Sequence, residues 1–152
     1  MKLTTFSDYT LRVLIYLALD TDRLATIAQI AAAYDISEHH LTKVVHRLAK
    51  AGWIESVRGR SGGIRLAHDP TQIRLGRVLR ESESDGPFVE CVSSEGNCRI
   101  LSACRLAGIL NGAVDEFYAS LDRHTLADLV DNRQRLLRAS LGRIPVKVVA
   151  AS

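Results

Sequence analysis

The sequence predicts a mainly α-helical fold, in which a winged helix-turn-helix with a small β-hairpin is followed by a long helix suited to dimerisation. Three observations support this fold class. Apolar residues recur at three- and four-residue spacing over much of the chain. Two capped helices separated by a tight turn occupy residues 26–51, and two strands around a glycine-rich turn follow at residues 53–66. The ordered combination is far more specific than any one of its parts.

The first helix is predicted over residues 4–19. Phe6, Tyr9 and Val13 belong to a set of apolar residues that are three or four positions apart along this stretch. Asp8 and Arg12 are four residues apart, so they share one face of the helix and can form an ion pair.

The helix-turn-helix is predicted from two helix-start signals and one helix-end signal. Thr26 and Gln29 match a capping box, in which each side chain binds a free backbone amide of the other residue. After a brief turn, Ser37 is expected to cap the third helix, which runs to Ala51. Gly52 then stands where a helix-ending glycine belongs.

The wing is predicted directly after this helix pair. Residues 53–57 and 64–66 have the composition of strands, and the glycine-rich residues 58–63 join them as a turn. A strand pair in this position is typical of a winged helix. A fourth helix is predicted over residues 71–82.

A long helix is predicted from about residue 102 to residue 121. Its apolar residues form a narrow seam that suits a partner helix, so a symmetric homodimer is the economical interpretation. The alternative is that the seam packs against its own domain. The seam consists of Leu106, Leu110, Ala113, Phe117 and Leu121. A further helix start is indicated by Thr125 and Asp128.

Basic residues are concentrated in one block of the chain. The net charge of the whole sequence is +3, whereas residues 37–80 hold nine basic and three acidic side chains, a net charge of +6. Such a block is typical of a surface that faces phosphate groups. A solvated basic face without a partner is the alternative.

No membrane or secretory segment is predicted. The N-terminal residues lack the pattern of a signal peptide, and the longest apolar run, Val13–Leu19, is too short to cross a bilayer. The sequence contains no recognisable nucleophile–base set and no phosphate-binding loop. We therefore expect a non-enzymatic, cytoplasmic protein whose thiols stay reduced.

All three cysteines, Cys91, Cys98 and Cys104, lie in one turn-rich stretch. A disulfide with a spare thiol fits poorly with the odd count and the missing secretory signal. Structural zinc usually uses closely spaced cysteine pairs, which this stretch lacks. An iron–sulfur cluster with a fourth ligand from elsewhere is one open interpretation. A zinc site, redox-active thiols and three unrelated thiols are the others.

Four stretches of the sequence resemble one family. Residues 3–12, 41–48 and 57–66 and the three-cysteine loop are similar to those of the bacterial winged-helix transcription regulators that carry an iron–sulfur cluster, above all the nitric-oxide-sensing repressors. The resemblance implies a repressor that binds double-stranded operator DNA as a homodimer, holds a 4Fe–4S cluster and responds to nitric oxide. A 2Fe–2S cluster is the alternative or degradation form. A regulator that senses redox state or iron supply is the alternative function.

The resemblance also implies the ligands of the cluster, with Cys91, Cys98 and Cys104 as thiolates and Asp8 as the fourth. The first cysteine gap is six residues, one more than is usual in the family. A related iron–sulfur regulator has a histidine ligand where this chain has Ala107, so that ligand is absent. A carboxylate holds cluster iron more weakly than a thiolate, so nitric oxide is expected to attack there. Asp8 would bind the cluster either within its own chain or across the dimer. Loss of that bond would release the link between the DNA-binding half and the cysteine loop.

The DNA contacts are expected on the third helix and the wing. The N-terminal part of the helix would enter the major groove, and the wing-tip arginines would enter a narrow A·T-rich minor groove. The histidines at the helix start could instead be exposed fillers, and the glutamate could simply favour the helix N-terminus. The candidates are Thr26, Ser37, Glu38, His39, His40, Lys43, His46, Arg47, Arg58 and Arg60, of which His46 and Arg47 would touch phosphate.

These assignments divide the chain into four parts. They are a DNA-binding domain at residues 1–82, a cysteine loop at 83–104, a dimerisation helix with a following helix at 105–140, and a flexible tail at 141–152.

Overall fold

The computed structural model describes residues 3–83, 104–131 and 139–141 of the 152-residue chain. Its elements are α1 (Thr5–Ala18), α2 (Ile27–Tyr34), α3 (Glu38–Lys50), β1 (Ile54–Val57), β2 (Gly63–Leu66), a 3-10 turn (Pro70–Gln72), α4 (Leu75–Ser82), α5 (Leu106–Asp122) and α6 (Leu126–Val130). The predicted fold class, mainly α with a β-hairpin, is confirmed. Most of the predicted cysteine loop and nearly all of the predicted tail lie outside the described residues. None of the described helices is both long and apolar enough to span a membrane.

Helix α1 lies at the centre of the core. Its residues Val13, Leu14 and Leu17 are almost fully buried, and the helix contacts α2, α3, α4, α6 and β2. These elements contribute further buried residues, among them Ile30, Leu41, Val44, Leu48, Ile64, Val78 and Leu126. Because α1 contacts most of the domain, a displacement of α1 would move the elements packed against it. Asp8 lies on this helix.

The helix-turn-helix starts with the predicted capping box. The N–H of Gln29 donates to the hydroxyl of Thr26 at 3.2 Å, and the N–H of Thr26 donates to the side-chain oxygen of Gln29 at 3.0 Å. Asp35 follows the last residue of α2 as its C-cap and adopts the left-handed conformation at φ 53° and ψ 50°. Aspartate tolerates this conformation better than most residues, and the next amide, of Ile36, then donates to the Ala31 carbonyl at 3.0 Å.

The predicted side-chain cap of α3 is wrong. Ser37 occupies the N-cap position, but its side chain makes no capping hydrogen bond. Its carbonyl accepts from the amides of His40 and Leu41 at 3.1 and 3.2 Å. Because residues 37–40 are exposed, water can satisfy the first amides of the helix. The Ser37 hydroxyl is therefore available to an external partner.

The wing is an antiparallel hairpin in which Ile54 pairs with Leu66 and Val57 pairs with Gly63. Ala25, just before α2, adds a short bridge to β2. Its N–H donates to the Ile64 carbonyl at 3.0 Å, and its carbonyl accepts from the Ile64 N–H at 2.8 Å. Main-chain hydrogen bonds thus fix the wing to the helix-turn-helix.

Trp53 fixes the start of the wing to α4. Its indole Nε1–H donates to the carboxylate of Glu81 at 2.6 Å, and the guanidinium of Arg77 lies 5.0 Å from the ring centroid. The residue is only 5% exposed. One buried side chain therefore joins β1 to the helix after which the cysteine segment begins.

The predicted helix over residues 71–82 is shorter than expected. The chain makes the 3-10 turn, becomes extended at Ile73, and starts α4 only at Leu75. The amide of Leu126 donates to the Ile73 carbonyl at 2.8 Å, and the amide of Leu75 donates to the His124 carbonyl at 3.0 Å. This pairing with the segment before α6 replaces the helical hydrogen bonds, so a tertiary interaction overrides the local preference.

Helix α5 packs against α4 and leaves much of its own surface open. Gly76 of α4 is buried against the Tyr118 carbonyl and the Asp122 side chain of α5. Arg80 strengthens this contact, since it pairs with Asp122 at 2.6 Å and lies 4.9 Å from the Tyr118 ring centroid. No residue of α5 is fully buried. Within the predicted seam, Leu110, Phe117 and Leu121 are partly covered, whereas Leu106 and Ala113 are exposed.

We expect Gly76→Ala to lower the free energy of unfolding by about 1–3 kcal/mol, as overpacking does. A Cβ at this position would lie 2.5 Å from the Tyr118 carbonyl oxygen, which belongs to the backbone and cannot turn aside. Urea denaturation measures the effect. Gly112→Ala is the matched control, because a Cβ there meets no atom of the described residues within 4 Å and should stabilise the helix by up to about 1 kcal/mol. An unchanged stability of Gly76→Ala would contradict the close packing of α4 on α5.

Candidate nucleic-acid interface and cluster-ligand residues

Helix α3 buries one face and exposes the other. Leu41, Val44, Val45 and Leu48 pack into the core. The opposite side carries polar and basic residues, all of them exposed: Glu38, His39, His40, Lys43 and His46, with Ser37 just before the helix. The arrangement follows from the sequence spacing, because residues three and four apart share one helix face. The exposed face has the composition of a helix that enters a DNA groove.

Lys50 extends this exposed face, although it was not among the predicted contacts. It lies seven residues after Lys43 and four after His46, so the three side chains form one stripe along α3. Its helical spacing from Lys43 is the sequence signal that could have identified it. The stripe therefore offers two lysines for contacts with phosphate.

Arg47 lies at a junction between helices. Its guanidinium is 5.3 Å from the Phe6 ring centroid of α1, and its Nη2 donates to the Glu81 carbonyl of α4 at 3.4 Å. The residue is half-buried. The structure thus gives Arg47 a packing role between three helices, which the predicted phosphate contact did not anticipate.

Two candidates, one at the start of each helix of the pair, have contacts that bear on their role. Thr26 uses its hydroxyl oxygen as an acceptor in the capping box, which leaves the hydroxyl hydrogen for a phosphate. The ring of His40 lies 6.4 Å from the Tyr9 ring of α1 and 6.1 Å from the His39 ring. His40 therefore lies between the DNA-facing side of α3 and the helix that carries Asp8.

The wing tip presents Arg58 and Arg60 to solvent. Gly59 between them has φ +122°, a conformation that side chains rarely adopt, so glycine is required for this turn. Further down the hairpin, Arg65 pairs with Glu55 across the strands at 2.9 Å. Within the described residues, neither wing-tip arginine makes an ion pair, so both guanidinium groups can bind an external anion such as a phosphate.

Asp8 lies in the first turn of α1 and is bound to Arg12. Its Oδ2 is 2.9 Å from the Arg12 Nη2, and the two side chains are 48% and 40% exposed. The Arg12 guanidinium also lies 5.7 Å from the ring of Tyr34, the last residue of α2. Burial raises the pKa of Tyr34 to about 12, against the opposing effect of Arg12, so the phenol stays neutral. Asp8 is thus accessible and linked through Arg12 to the helix-turn-helix.

Cys104 is a free, half-buried thiol two residues before α5. Cys91 and Cys98 lie outside the described residues. Among the residues that are described, no three His, Cys, Asp or Glu side chains come together in a way that could hold a metal ion. The two predicted ligands that can be placed, Cys104 and Asp8, both keep access to solvent, and a soft thiolate with a harder carboxylate fits iron. These two residue types suit an iron–sulfur cluster, and the complete set of four ligands stays a prediction.

Comparison with known proteins identifies the family. Residues 3–132 match the Rrf2 family, which is described as iron-dependent transcriptional regulators. The chain belongs to the Rrf2 family. Among its relatives, the HTH-type transcriptional regulator NsrR of Geobacillus kaustophilus is 49% identical over 138 residues, which make up 90% of this chain and 94% of that protein. The resemblance seen in the sequence is confirmed. The relatives are named as transcriptional regulators, which also confirms that this Rrf2 protein is not an enzyme.

Solved structures agree with the Rrf2 assignment. CymR, the global cysteine regulator of B. subtilis, superposes with a TM-score of 0.64 at 30% identity, covering 85% of this chain and 95% of that chain. IscR of T. potens superposes with a TM-score of 0.68 at 25% identity, covering 90% of each chain. This chain therefore shares its overall fold with CymR and IscR.

Proposed function

We propose that this Rrf2 regulator is a transcriptional repressor whose operator binding depends on a bound 4Fe–4S cluster and is relieved by nitric oxide. One observation carries the proposal: an accessible carboxylate, Asp8, lies on the central helix of the DNA-binding domain, while the cysteines follow α4 on the way to α5. Ligation of one cluster by both would tie the two halves of the molecule together. The similarity to NsrR supports nitric oxide as the signal.

The DNA-binding part of the proposal rests on α3 and the wing. The stripe of Lys43, His46 and Lys50 would lie along the major groove, with Ser37 and the residues after it at the base edges. Arg58 and Arg60 at the wing tip would enter the minor groove. Two copies joined through α5, on which Leu106 and Ile109 are 54% and 66% exposed, would place two recognition helices on successive turns of the duplex. Such a dimer would act in the cytoplasm.

The ligand part of the proposal assigns thiolates to Cys91, Cys98 and Cys104 and a carboxylate to Asp8. When bound, the cluster would supply an iron centre that reacts with nitric oxide. Asp8 could ligate this centre through Oδ1 while Oδ2 keeps its contact with Arg12, or it could leave Arg12 altogether. Arg12 also contacts Tyr34 at the end of α2. If Asp8 left Arg12, the contact between Arg12 and the helix-turn-helix would therefore change.

A second function of the same fold is a sensor of redox state or iron supply. The description of the family as iron-dependent and the likeness to IscR favour this candidate. It would use the same DNA interface and the same cysteines, with a 2Fe–2S cluster or bare thiols. The two candidates differ in the signal that releases DNA.

The test is an anaerobic absorption spectrum of the purified protein together with its affinity for an operator selected from random duplex DNA. We expect a brown protein with a 4Fe–4S spectrum that loses operator binding after stoichiometric nitric oxide. Release by an oxidant or an iron chelator but not by nitric oxide would establish the second candidate instead. A colourless protein with tightly bound zinc would overturn both.

We expect Lys43→Ala to weaken binding to all duplexes and to reduce the slope of log affinity against log salt by about one, as the loss of one phosphate contact should. Fluorescence anisotropy over a series of salt concentrations measures both effects. Arg123→Ala is the control, because it removes the same charge from an exposed residue after α5 whose guanidinium binds only Ser120 among the described residues, at 2.9 Å. If Lys43→Ala instead relaxes specificity at one base pair, Lys43 reads a base.

A further inference from the structure

Thr42 is the fifth residue of α3 and lies on the side of the helix that is proposed to enter the major groove. It follows Glu38 by four residues and precedes His46 by four, so the three side chains share one face of the helix. Thr42 is itself exposed. Its place in the N-terminal half of α3 is where recognition helices contact the edges of bases.

The hydroxyl of Thr42 is already engaged within the helix. Its Oγ1 donates to the backbone carbonyl of Glu38, one turn earlier, at 2.8 Å. This hydrogen bond selects one of the few χ1 rotamers that a β-branched threonine adopts in a helix. The hydroxyl hydrogen is therefore not available to a base, and the methyl group on the same Cβ has a defined direction.

The methyl group of Thr42 differs in kind from the other groups on this surface. The other exposed residues of α3 end in carboxylate, imidazole or ammonium groups, and none of them carries a methyl: Glu38, His39, His40, Lys43, His46 and Lys50. In the major groove, the 5-methyl group of thymine is the apolar feature that distinguishes one base edge from the others, and a threonine methyl is among the groups that contact it. A single fixed methyl on a polar face therefore suits thymine better than any other base.

We propose that the Thr42 methyl contacts the 5-methyl group of one thymine in each operator half-site, which makes Thr42 a specificity-determining residue. The inference rests on the DNA-binding part of the proposed function and adds to it the identity of one base. The hydrogen bond to Glu38 directs the hydroxyl to the helix backbone and leaves the methyl for the groove. Phosphate contacts carry no sequence information, so loss of this methyl should weaken operator binding and leave binding to unrelated DNA unchanged.

The first test changes the DNA and leaves the protein intact. Each thymine of the operator selected by the anaerobically purified protein is replaced in turn by deoxyuridine, which pairs identically but lacks the 5-methyl group. Binding by wild type should weaken about fourfold at one thymine of each half-site, as expected when one buried methyl contact is lost. Fluorescence anisotropy measures the series.

The second test repeats this series with two variants of Thr42. Thr42→Ser keeps the hydroxyl but removes the methyl, so it should no longer distinguish thymine from deoxyuridine at the sensitive position. Thr42→Val keeps a methyl in the same shape but removes the hydroxyl, so it should retain the preference for thymine. Thr71→Ser is the matched control, because it removes the same methyl from an exposed threonine in the 3-10 turn, outside α3 and the wing.

The outcomes separate the methyl contact from the proposed function. If Thr42→Ser preferred thymine by the same factor as wild type, another group would contact the thymine methyl and the inference would be wrong. Loss of the preference in Thr42→Val would assign recognition to the hydroxyl and would overturn the inference as well. An operator that is bound specifically but tolerates every deoxyuridine would overturn the methyl contact alone. A wild type that selects no operator would overturn the proposed function and the contact with it.

Discussion

Replacing Cys104 with alanine is expected to remove both the iron–sulfur spectrum and the specific DNA binding of the anaerobically purified protein. The substitution leaves two thiolates and one carboxylate, too few strong ligands to retain the cluster. Operator affinity should then fall towards that for unrelated DNA, a loss of about 10³-fold or more. The same outcome is expected for Cys91→Ala and Cys98→Ala. Absorption spectra, iron content and operator binding on one preparation measure the effects together.

Ala107→Ser serves as the control for local disturbance near Cys104. It adds a polar atom in the first turn of α5, at a half-buried position, and leaves every thiol in place. Its spectrum and operator affinity should match those of wild type. If Cys104→Ala also retained the wild-type spectrum and affinity, the cysteines would not be the ligands and the proposed function would be wrong.

Asp8→Ala is expected to separate cluster binding from DNA binding. Three thiolates remain, so iron content should stay near normal, although the cluster should be more labile and should accept a small exogenous thiol. Because the tie between α1 and the cysteine segment is missing, operator affinity should fall even with the cluster in place. Iron analysis and operator titration of the same sample test this outcome.

Arg12→Ala distinguishes iron ligation by Asp8 from a simple ion pair. If the pair with Arg12 were the whole role of Asp8, both substitutions would behave alike. Each would cost only about 0.3–0.5 kcal/mol of stability, because an exposed pair on a helix contributes little. A spectrum, nitric-oxide response and operator affinity in Asp8→Ala that all match wild type would place the fourth ligand elsewhere.

The elements of the fold could be predicted because their signals are local. The Thr26–Gln29 capping box and the glycine-rich turn of the wing each depend on residues a few positions apart, and both are observed. The predicted side-chain cap by Ser37 is not observed, because the amides of an exposed helix start can bind water instead. The spacing on α3 separates its buried face from its exposed face correctly.

The features that were not predicted are mostly contacts between residues that are far apart in the chain. The pairing of Ile73 with Leu126 shortened α4, and Arg47 packs on Phe6, a contact that the sequence spacing did not predict. The hydrogen bond from the Thr4 amide to Glu83 was not predicted either, because the two residues are 79 positions apart. No periodicity or capping rule reports such a contact. Lys50 differs from these cases, since its helical spacing from Lys43 was readable in the sequence.

The contacts of Trp53 provide an optical reporter of the proposed switch. It is the only tryptophan in the chain, and its indole lies against Glu81 and Arg77, just ahead of the cysteine segment. A buried indole emits at shorter wavelength than a hydrated one, and an iron–sulfur chromophore nearby would quench it by energy transfer. Fluorescence of the unlabelled protein should therefore brighten as the cluster is lost, and shift to the red wherever α4 moves away from the wing.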